Sequence, residues 1–210
     1  MKKLAIIGAS DLGLQMANYL DVESINFVGY IDDFKEIGSF FNGAPIVCSI
    51  DSIETYFNQK VFDYVIIGIG YHHFKFKEDL IKKLLELKIP LQTVIAPNVY
   101  IHPSSTIGDG SFILPGTVVD QKCKIGVSTV LNCNVTISHD SIVSDNCFIG
   151  PGAVVCGFVN IDKNCFIGAN STIIDHVKIK DNSTLGASST VIEDITVQGI
   201  YIGTPAKIKI

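Results

Sequence analysis

The sequence predicts two domains of different class: a small α/β domain over residues 1–97, then a parallel β-helix over residues 98–210. Three observations carry this reading. Short apolar runs alternate with helical spacing in the first half. Aliphatic residues recur at every sixth position in the second. The composition, 47% apolar and 18% charged, is that of a chain with a large core to bury.

The first domain is read element by element. Lys2–Ala9 is an apolar run that ends in a glycine turn. Asp11–Leu20 places Leu12, Met16 and Leu20 on one helical face. Asn26–Ile31 is strand-like and ends at Asp32-Asp33, and Tyr64–Ile69 is a third such run. A helical stretch covers Lys75 to Lys88, and Leu91–Ile95, closed by Ala96-Pro97, is a fourth strand candidate. Strand and helix in alternation argue for a small parallel sheet. The first turn, GASDLG from Gly8 to Gly13, has Asp32 about 20 residues further on, like a dinucleotide fingerprint. The domain is too short for a second mononucleotide half, so a half-Rossmann domain with a half-sized nucleotide pocket is expected. The plainer alternative is that Gly8 and Gly13 only make the turn and let helix and sheet approach.

In the second domain the step of six runs from Ile101 through Ile107, Ile113 and Val119 to Val191 and Val197. All seventeen positions are aliphatic. A second column, four places after each, is dominated by small residues such as Ser105, Ser111, Thr117, Cys123 and Thr129. One column fills the interior of a coil and the other sits where the chain is tight. Asp109-Gly110, Pro115-Gly116, Pro151-Gly152 and Asp181-Asn182 supply turns between them.

Charge and cysteine usage exclude several functions. The net charge of −5 is a poor basis for gripping nucleic acid. No run approaches the length of a membrane span, and the apolar run after Lys2-Lys3 is too short for a signal-peptide core. A cytoplasmic protein is expected. Six cysteines without a Cys-x-x-Cys pair are read as reduced, buried small residues. His102, His139 and His176 are spaced 37 apart, too far along a coil to share one metal, so no metal site is expected.

The hexad pattern resembles the left-handed parallel β-helix of the hexapeptide-repeat acyltransferases, over residues 101–203. With three hexads per coil it implies about five and two-thirds coils. With the α/β domain in front, the chain resembles a narrower subfamily, the sugar acetyltransferases of the sialic-acid O-acetyltransferase and bacillosamine-pathway N-acetyltransferase type. GASDLG at 8–13, IDDF at 31–34, SHD at 138–140 and IGTPAK at 202–207 carry that likeness. The resemblance implies a homotrimer that moves acetyl from acetyl-CoA to the amine of a nucleotide-linked amino sugar, of the UDP- or dTDP-4-amino-dideoxy type, by direct attack in surface-glycan precursor synthesis.

Matched to the family's motifs, His139 is the general base, Asp140 its acidic neighbour, and Gly157 the glycine whose amide faces the thioester oxygen. Asn132 falls where an acceptor-contacting side chain is placed. Gly8, Ser10, Asp32, Asp33, Phe34 and Gly68 belong to the nucleotide end of the acceptor. Ala169, Ala187, Pro205 and Lys207, with Gly157, belong to acetyl-CoA. The chain departs from some relatives at Leu12 and Phe148, where they carry histidines.

The chemistry asks for these residue types. An ammonium cannot attack a thioester, and histidine takes a proton near neutral pH. A carboxylate beside it fixes the tautomer and stabilises the imidazolium. Adjacent strand residues point to opposite faces, so pairing of His139 with Asp140 requires a turn. A backbone N–H such as that of Gly157 stabilises the oxyanion, and glycine there also lets the bulky cofactor approach. Cys156 is disfavoured as an acyl carrier, and His72-His73 are candidates for the nucleotide end. Two other functions remain open at this point: a sugar O-acetyltransferase, and a non-catalytic trimeric nucleotide-sugar-binding protein.

Overall fold

The computed structural model describes residues 1–21 and 23–209. The chain divides into two compact units, Met1–Val94 and Ile95–Ile210. No helix among the described residues is long and apolar enough to cross a membrane.

The first unit is a five-stranded sheet built from β1 (Lys2–Ile7), β2 (Ile25–Ile31), β3 (Phe40–Phe41), β4 (Ala44–Cys48) and β5 (Tyr64–Ile67), in the order β3-β4-β2-β1-β5. β4, β2, β1 and β5 are parallel, and only the β3–β4 hairpin is antiparallel. β1 and β5 are apolar throughout their buried halves, because a parallel strand is covered on both faces. Helix α1 (Asp11–Asn18) follows β1, α2 (Ile53–Asn58) precedes β5, and α3 (Phe74–Glu86) follows it. Ser10 caps α1, its hydroxyl accepting the Gly13 N–H at 3.2 Å.

Three elements differ from the sequence reading. Leu91–Ile95 is not one strand: Leu91 makes a single bridge to Val65, and Val94–Ile95 pairs separately. The β3–β4 hairpin and α2 carry no periodicity long enough to show. The hairpin's Asn42-Gly43 turn is nevertheless a strong hairpin signal, and both residues have positive φ, 44° and 81°.

The second unit is a three-walled coil of two-residue strands. Sixteen of them, from Tyr100–Ile101 to Thr190–Val191, follow at every sixth residue. All but the last three pair in parallel with the strand eighteen residues on, as Val118-Val119 does with Thr136-Ile137. The first wall holds the strands of Ile101, Val119, Ile137, Val155, Ile173 and Val191. The second holds those of Ile107, Ile125, Val143, Ile161 and Ile179. The third holds those of Ile113, Leu131, Ile149, Ile167 and Leu185, and then Ile200–Ile202. The second residue of each strand points inward, and these aliphatic side chains form one continuous core.

The small column has a specific task. Hydroxyls of Ser111, Thr117, Thr129, Ser141 and Ser171, all fully buried, donate to the carbonyl fifteen residues on at 2.8–2.9 Å. Cys123, Cys147 and Cys165 do the same with their thiols at 3.1–3.3 Å. A corner carbonyl that faces inward cannot reach water, and these short side chains satisfy it.

The repeat ends earlier than the sixfold step suggests. Val197 is 59% exposed and not interior. Ile195 takes its place, buried and bridged to Ile179. The last coil is thus two residues short, and Thr184 pairs with Ile200, sixteen residues on. An aliphatic residue at 197 kept the pattern in the sequence, while the chain cut the corner.

Candidate active site

The three residues expected to do the chemistry converge at one corner, between the first and second walls. His139 and Asp140 follow the strand Thr136–Ile137, and Gly157 occupies the same place one coil further on. Asp140 has φ 57°, the left-handed conformation. This is the turn that brings neighbouring side chains to one face, and Asp tolerates it better than most residues. Its Oδ2 lies 3.1 Å from Nδ1 of His139. The side chains are 42% and 28% exposed, so the pair is reachable from solvent yet partly shielded. Nε2 of His139 makes no hydrogen bond among the described residues, which leaves that nitrogen open to a ligand proton.

Gly157 is shaped by this histidine. A β-carbon there would lie 2.8 Å from Cε1 and 3.0 Å from Nε2 of His139. The imidazole therefore packs over the glycine backbone, and the space attributed above to a cofactor is filled by His139 itself. The peptide joining Cys156 to Gly157 is oriented from the inside. The buried Ser141 hydroxyl donates to the Cys156 carbonyl at 2.8 Å. A trans peptide points its N–H opposite to its C=O, so the Gly157 N–H faces away from Ser141. That N–H meets no protein acceptor among the described residues.

The other expected residues of this unit lie elsewhere. Asn132, Ala169 and Ala187 line a different corner, between the third and first walls. Asn132 spends its Oδ1 on the N–H of Cys133 at 2.8 Å. Within one chain they are not brought to His139. Lys207 is paired with Glu193 at 2.6 Å, both largely exposed. Pro205 sits in the terminal turn between Ile200–Ile202 and Lys207–Ile208. Phe148 is on the third wall, stacked on Phe166 at 5.6 Å, away from His139's corner.

Sequence reasoning missed Phe158. Its ring meets His139 edge-on, centroids 5.2 Å apart at 86°, and stacks on His176 at 4.8 Å and 3°. Its partners lie nineteen residues before it, in the coil below, and eighteen after it, in the coil above, so local pattern does not reveal it.

In the first unit, a cavity of about 580 Å³ opens where β1, β2 and β5 end. Gly8, Ser10, Asp32, Asp33 and Phe34 all line it, together with Leu12, His72 and His73. Gly68 is not among its lining residues. It packs against Gly13, where a β-carbon would come within 2.7 Å of the Gly13 Cα, and its carbonyl accepts the Ser10 hydroxyl at 2.7 Å. The glycine turn also uses its own amides. Gly8 N–H donates to Ile31 at 2.8 Å, and Ala9 N–H to Oδ2 of Asp32 at 2.8 Å. Asp32 Oδ1 accepts the Phe34 N–H at 2.9 Å, and Asp33 Oδ1 the Ile50 N–H at 2.7 Å. The acidic loop is thus laced to the glycine turn, with lone pairs left on each carboxylate. Phe34 itself stands 98% exposed at the rim. Ile31, Ile50, Ile69 and Phe76 give the cavity apolar walls, and they come from a strand end, two loops and a helix far apart in sequence.

Residues 93–209 match the family model described as the GMPPB C-terminal domain, and residues 3–84 match the PglD N-terminal domain. A search of curated proteins finds no match. Among solved structures, a mutant of perosamine N-acetyltransferase from Caulobacter crescentus, in complex with CoA and GDP-perosamine, has a TM-score of 0.92 at 22% identity. It covers 100% of this chain and 97% of that one. The acetyltransferase domain of PglB from Neisseria gonorrhoeae FA1090 has a TM-score of 0.88 at 24% identity, over 100% of both chains. WeeI from Acinetobacter baumannii AYE has a TM-score of 0.84 at 24% identity, again over 100% of both. These likenesses give the architecture as a half-Rossmann domain followed by a left-handed parallel β-helix, the fold expected above. With a model matched over more than half of its length, this chain belongs to the GMPPB C-terminal domain family, and carries in front of that domain one of the PglD N-terminal type.

Proposed function

We propose that this protein is an acetyltransferase that moves acetyl from acetyl-CoA to the amine of a nucleotide-linked amino sugar. The observation that carries the reading is the His139–Asp140 pair laid over Gly157, with Nε2 open and an unpartnered backbone N–H beside it. The amine nitrogen forms a bond to the thioester carbonyl carbon as Nε2 of His139 takes its proton. Asp140 holds Nδ1 protonated and steadies the resulting imidazolium. The carbonyl oxygen gains negative charge and is met by the Gly157 N–H. The C–S bond then breaks and CoA leaves as its thiolate, a fair leaving group that receives the proton. Glycoside and nucleotide bonds are untouched.

The cavity of the first unit takes the nucleotide end of the acceptor. Its apolar walls suit a base, and Asp32 and Asp33 suit ribose hydroxyls. The GDP-perosamine bound by the Caulobacter enzyme puts GDP-linked 4-amino sugars first among acceptors to try. A homotrimer is part of the proposal. The corner with Asn132, Ala169 and Ala187 and the corner with His139 are distinct in one chain, and a neighbouring coil brings such corners together. Tyr100, Val118 and Ile142 are exposed apolar residues on the first and second walls that a neighbour would cover. Cysteines outside disulfide bonds fit a cytoplasmic setting, where acetyl-CoA is at hand.

The test is thiol release from acetyl-CoA with a panel of GDP-, dTDP- and UDP-linked amino sugars, with wild type and His139→Ala compared. Turnover with an amino sugar that falls about a hundredfold or more in the variant is the expected result. Turnover only with sugar hydroxyls would make the protein an O-acetyltransferase. Binding of nucleotide sugar without any turnover would make it a non-catalytic binding protein.

A further inference from the structure

We infer that Phe158 is a positioning residue for His139, an inference that rests on the reading of His139 as the base. Three observations meet at this side chain. Its φ is 58°, in the left-handed region. The same place in the coil is left-handed in each case, at Asn134, Asn146, Asn164, Asn170 and Asn182 and at Ser128 and Ser188 in the other corners, and at Lys122, Asp140 and His176 in this one, and asparagine is the non-glycine residue best suited to that conformation. Among the described residues Phe158 is the one apolar side chain in that conformation, and a bulky apolar residue is poorly suited to it. Nor does the ring join the core, since Phe158 is 49% exposed. Its contacts are instead the two histidines: edge-on to His139 at 5.2 Å, and stacked on His176 at 4.8 Å.

The geometry around His139 explains what such a ring does. Gly157 backs the imidazole, Asp140 holds Nδ1, and Phe158 stands alongside. The second torsion of histidine is broad and roughly twofold. A single hydrogen bond to a partly exposed carboxylate competes with water and holds such a ring loosely. The wall formed by Phe158, itself braced by His176, removes the alternative orientations and keeps Nε2 aimed at one place. General-base catalysis depends on that aim. A backbone conformation that the residue disfavours, found beside the reacting group, is the usual signature of a residue kept for function rather than for folding.

The test sets backbone preference against ring position. Phe158→Asn supplies the residue the turn prefers and removes the ring, while Phe158→Tyr keeps the ring. Phe158→Asn is expected to melt at or above the wild-type temperature, yet lose kcat by about ten- to hundredfold with both KM values little changed. Phe158→Tyr restores most of the rate. Independently of turnover, nitrogen-15 spectra of the imidazoles are expected to show the His139 Nδ1–H signal, assigned with His139→Gln, sharp in wild type and exchange-broadened in Phe158→Asn. An unchanged His139 signal in Phe158→Asn overturns the inference even if no acceptor is found. So does wild-type kcat, or a loss confined to KM, which would make the ring a substrate contact. If His139→Ala instead keeps wild-type turnover, it is the assignment of the base that fails.

Discussion

The imidazole of His139 and the backbone of Gly157 are in such close contact, across one turn of the coil, that a β-carbon on Gly157 would sit 2.8 Å from Cε1 of the ring. The atoms in the way belong to a side chain and not to backbone. Gly157→Ala is therefore expected to displace the ring and spare the coil. kcat should fall by about a hundredfold, the scale for a reacting group misplaced by an ångström, with the melting temperature nearly unchanged. Steady-state kinetics and a thermal melt on the same preparation check this. A normal rate in Gly157→Ala would mean that the ring position seen here is not the productive one.

Asp140 has two tasks that substitution can separate. Its left-handed backbone shapes the corner, and its carboxylate meets Nδ1 of His139. Asparagine keeps the first and loses the charge. Asp140→Asn is expected to fold as well as wild type and lose about ten- to hundredfold in kcat, less than the ~10⁴ known for a buried triad carboxylate, because this one is partly solvated. Asp140→Ala should lose the same activity and some stability as well. Equal rates for Asp140→Asn and wild type would reduce Asp140 to a turn residue.

In the first unit the corresponding hinge of structure and function is Asp32. Its two oxygens tie the Ala9 N–H to the Phe34 N–H, so that one carboxylate holds both loops at the mouth of the cavity. Asp32→Ala frees two amides and loosens both loops. The acceptor KM is expected to rise by about tenfold or more, the cost of losing one or two charge-assisted hydrogen bonds. The KM for acetyl-CoA, bound on the other unit in the proposal, should stay as it is. Isothermal titration with GDP alone reads the same effect without turnover.

The coil was legible because a step of six fixes, residue by residue, which side chain points inward, and a single slip would expose the set. Its last turn was not, since Val197 kept the pattern while the backbone took Ile195 instead. The candidate corner was legible in part. His139 and Asp140 stand in a short motif, SHD, and Gly157 was named by the family resemblance, whereas Phe158 meets rings one coil below and one above it. Gly68 shows the converse: it follows a strand end, as a ligand-binding glycine does, but serves the approach of Gly13. The apolar walls of the cavity, Ile50, Ile69 and Phe76, are brought together by tertiary structure and carry no local mark.

The cysteines give a last prediction, because their reactivity is set by burial and the thiolate is the reacting form. Burial pushes the Cys48 thiol up to about 11, Asp33 adds to this, and a hydrogen bond with Ser52 opposes it. At pH 8 only about one Cys48 in a thousand is a thiolate. Burial raises the Cys123 thiol too, against hydrogen bonds from Ser141 and Ser105. Cys147 and Cys165 are buried in the same column, with their thiols turned to carbonyls. Cys133 and Cys156 are only half-buried. Iodoacetamide on the native protein at pH 8 should thus label Cys133 and Cys156 and spare the other four, as peptide mapping by mass spectrometry would read. Cys156 adjoins Gly157, so its labelling should abolish turnover by bulk alone. Cys156→Ser should then be active and resistant to that inactivation. An inactive but folded Cys156→Ser would instead make the thiol an acyl carrier, and direct attack on acetyl-CoA would have to be given up.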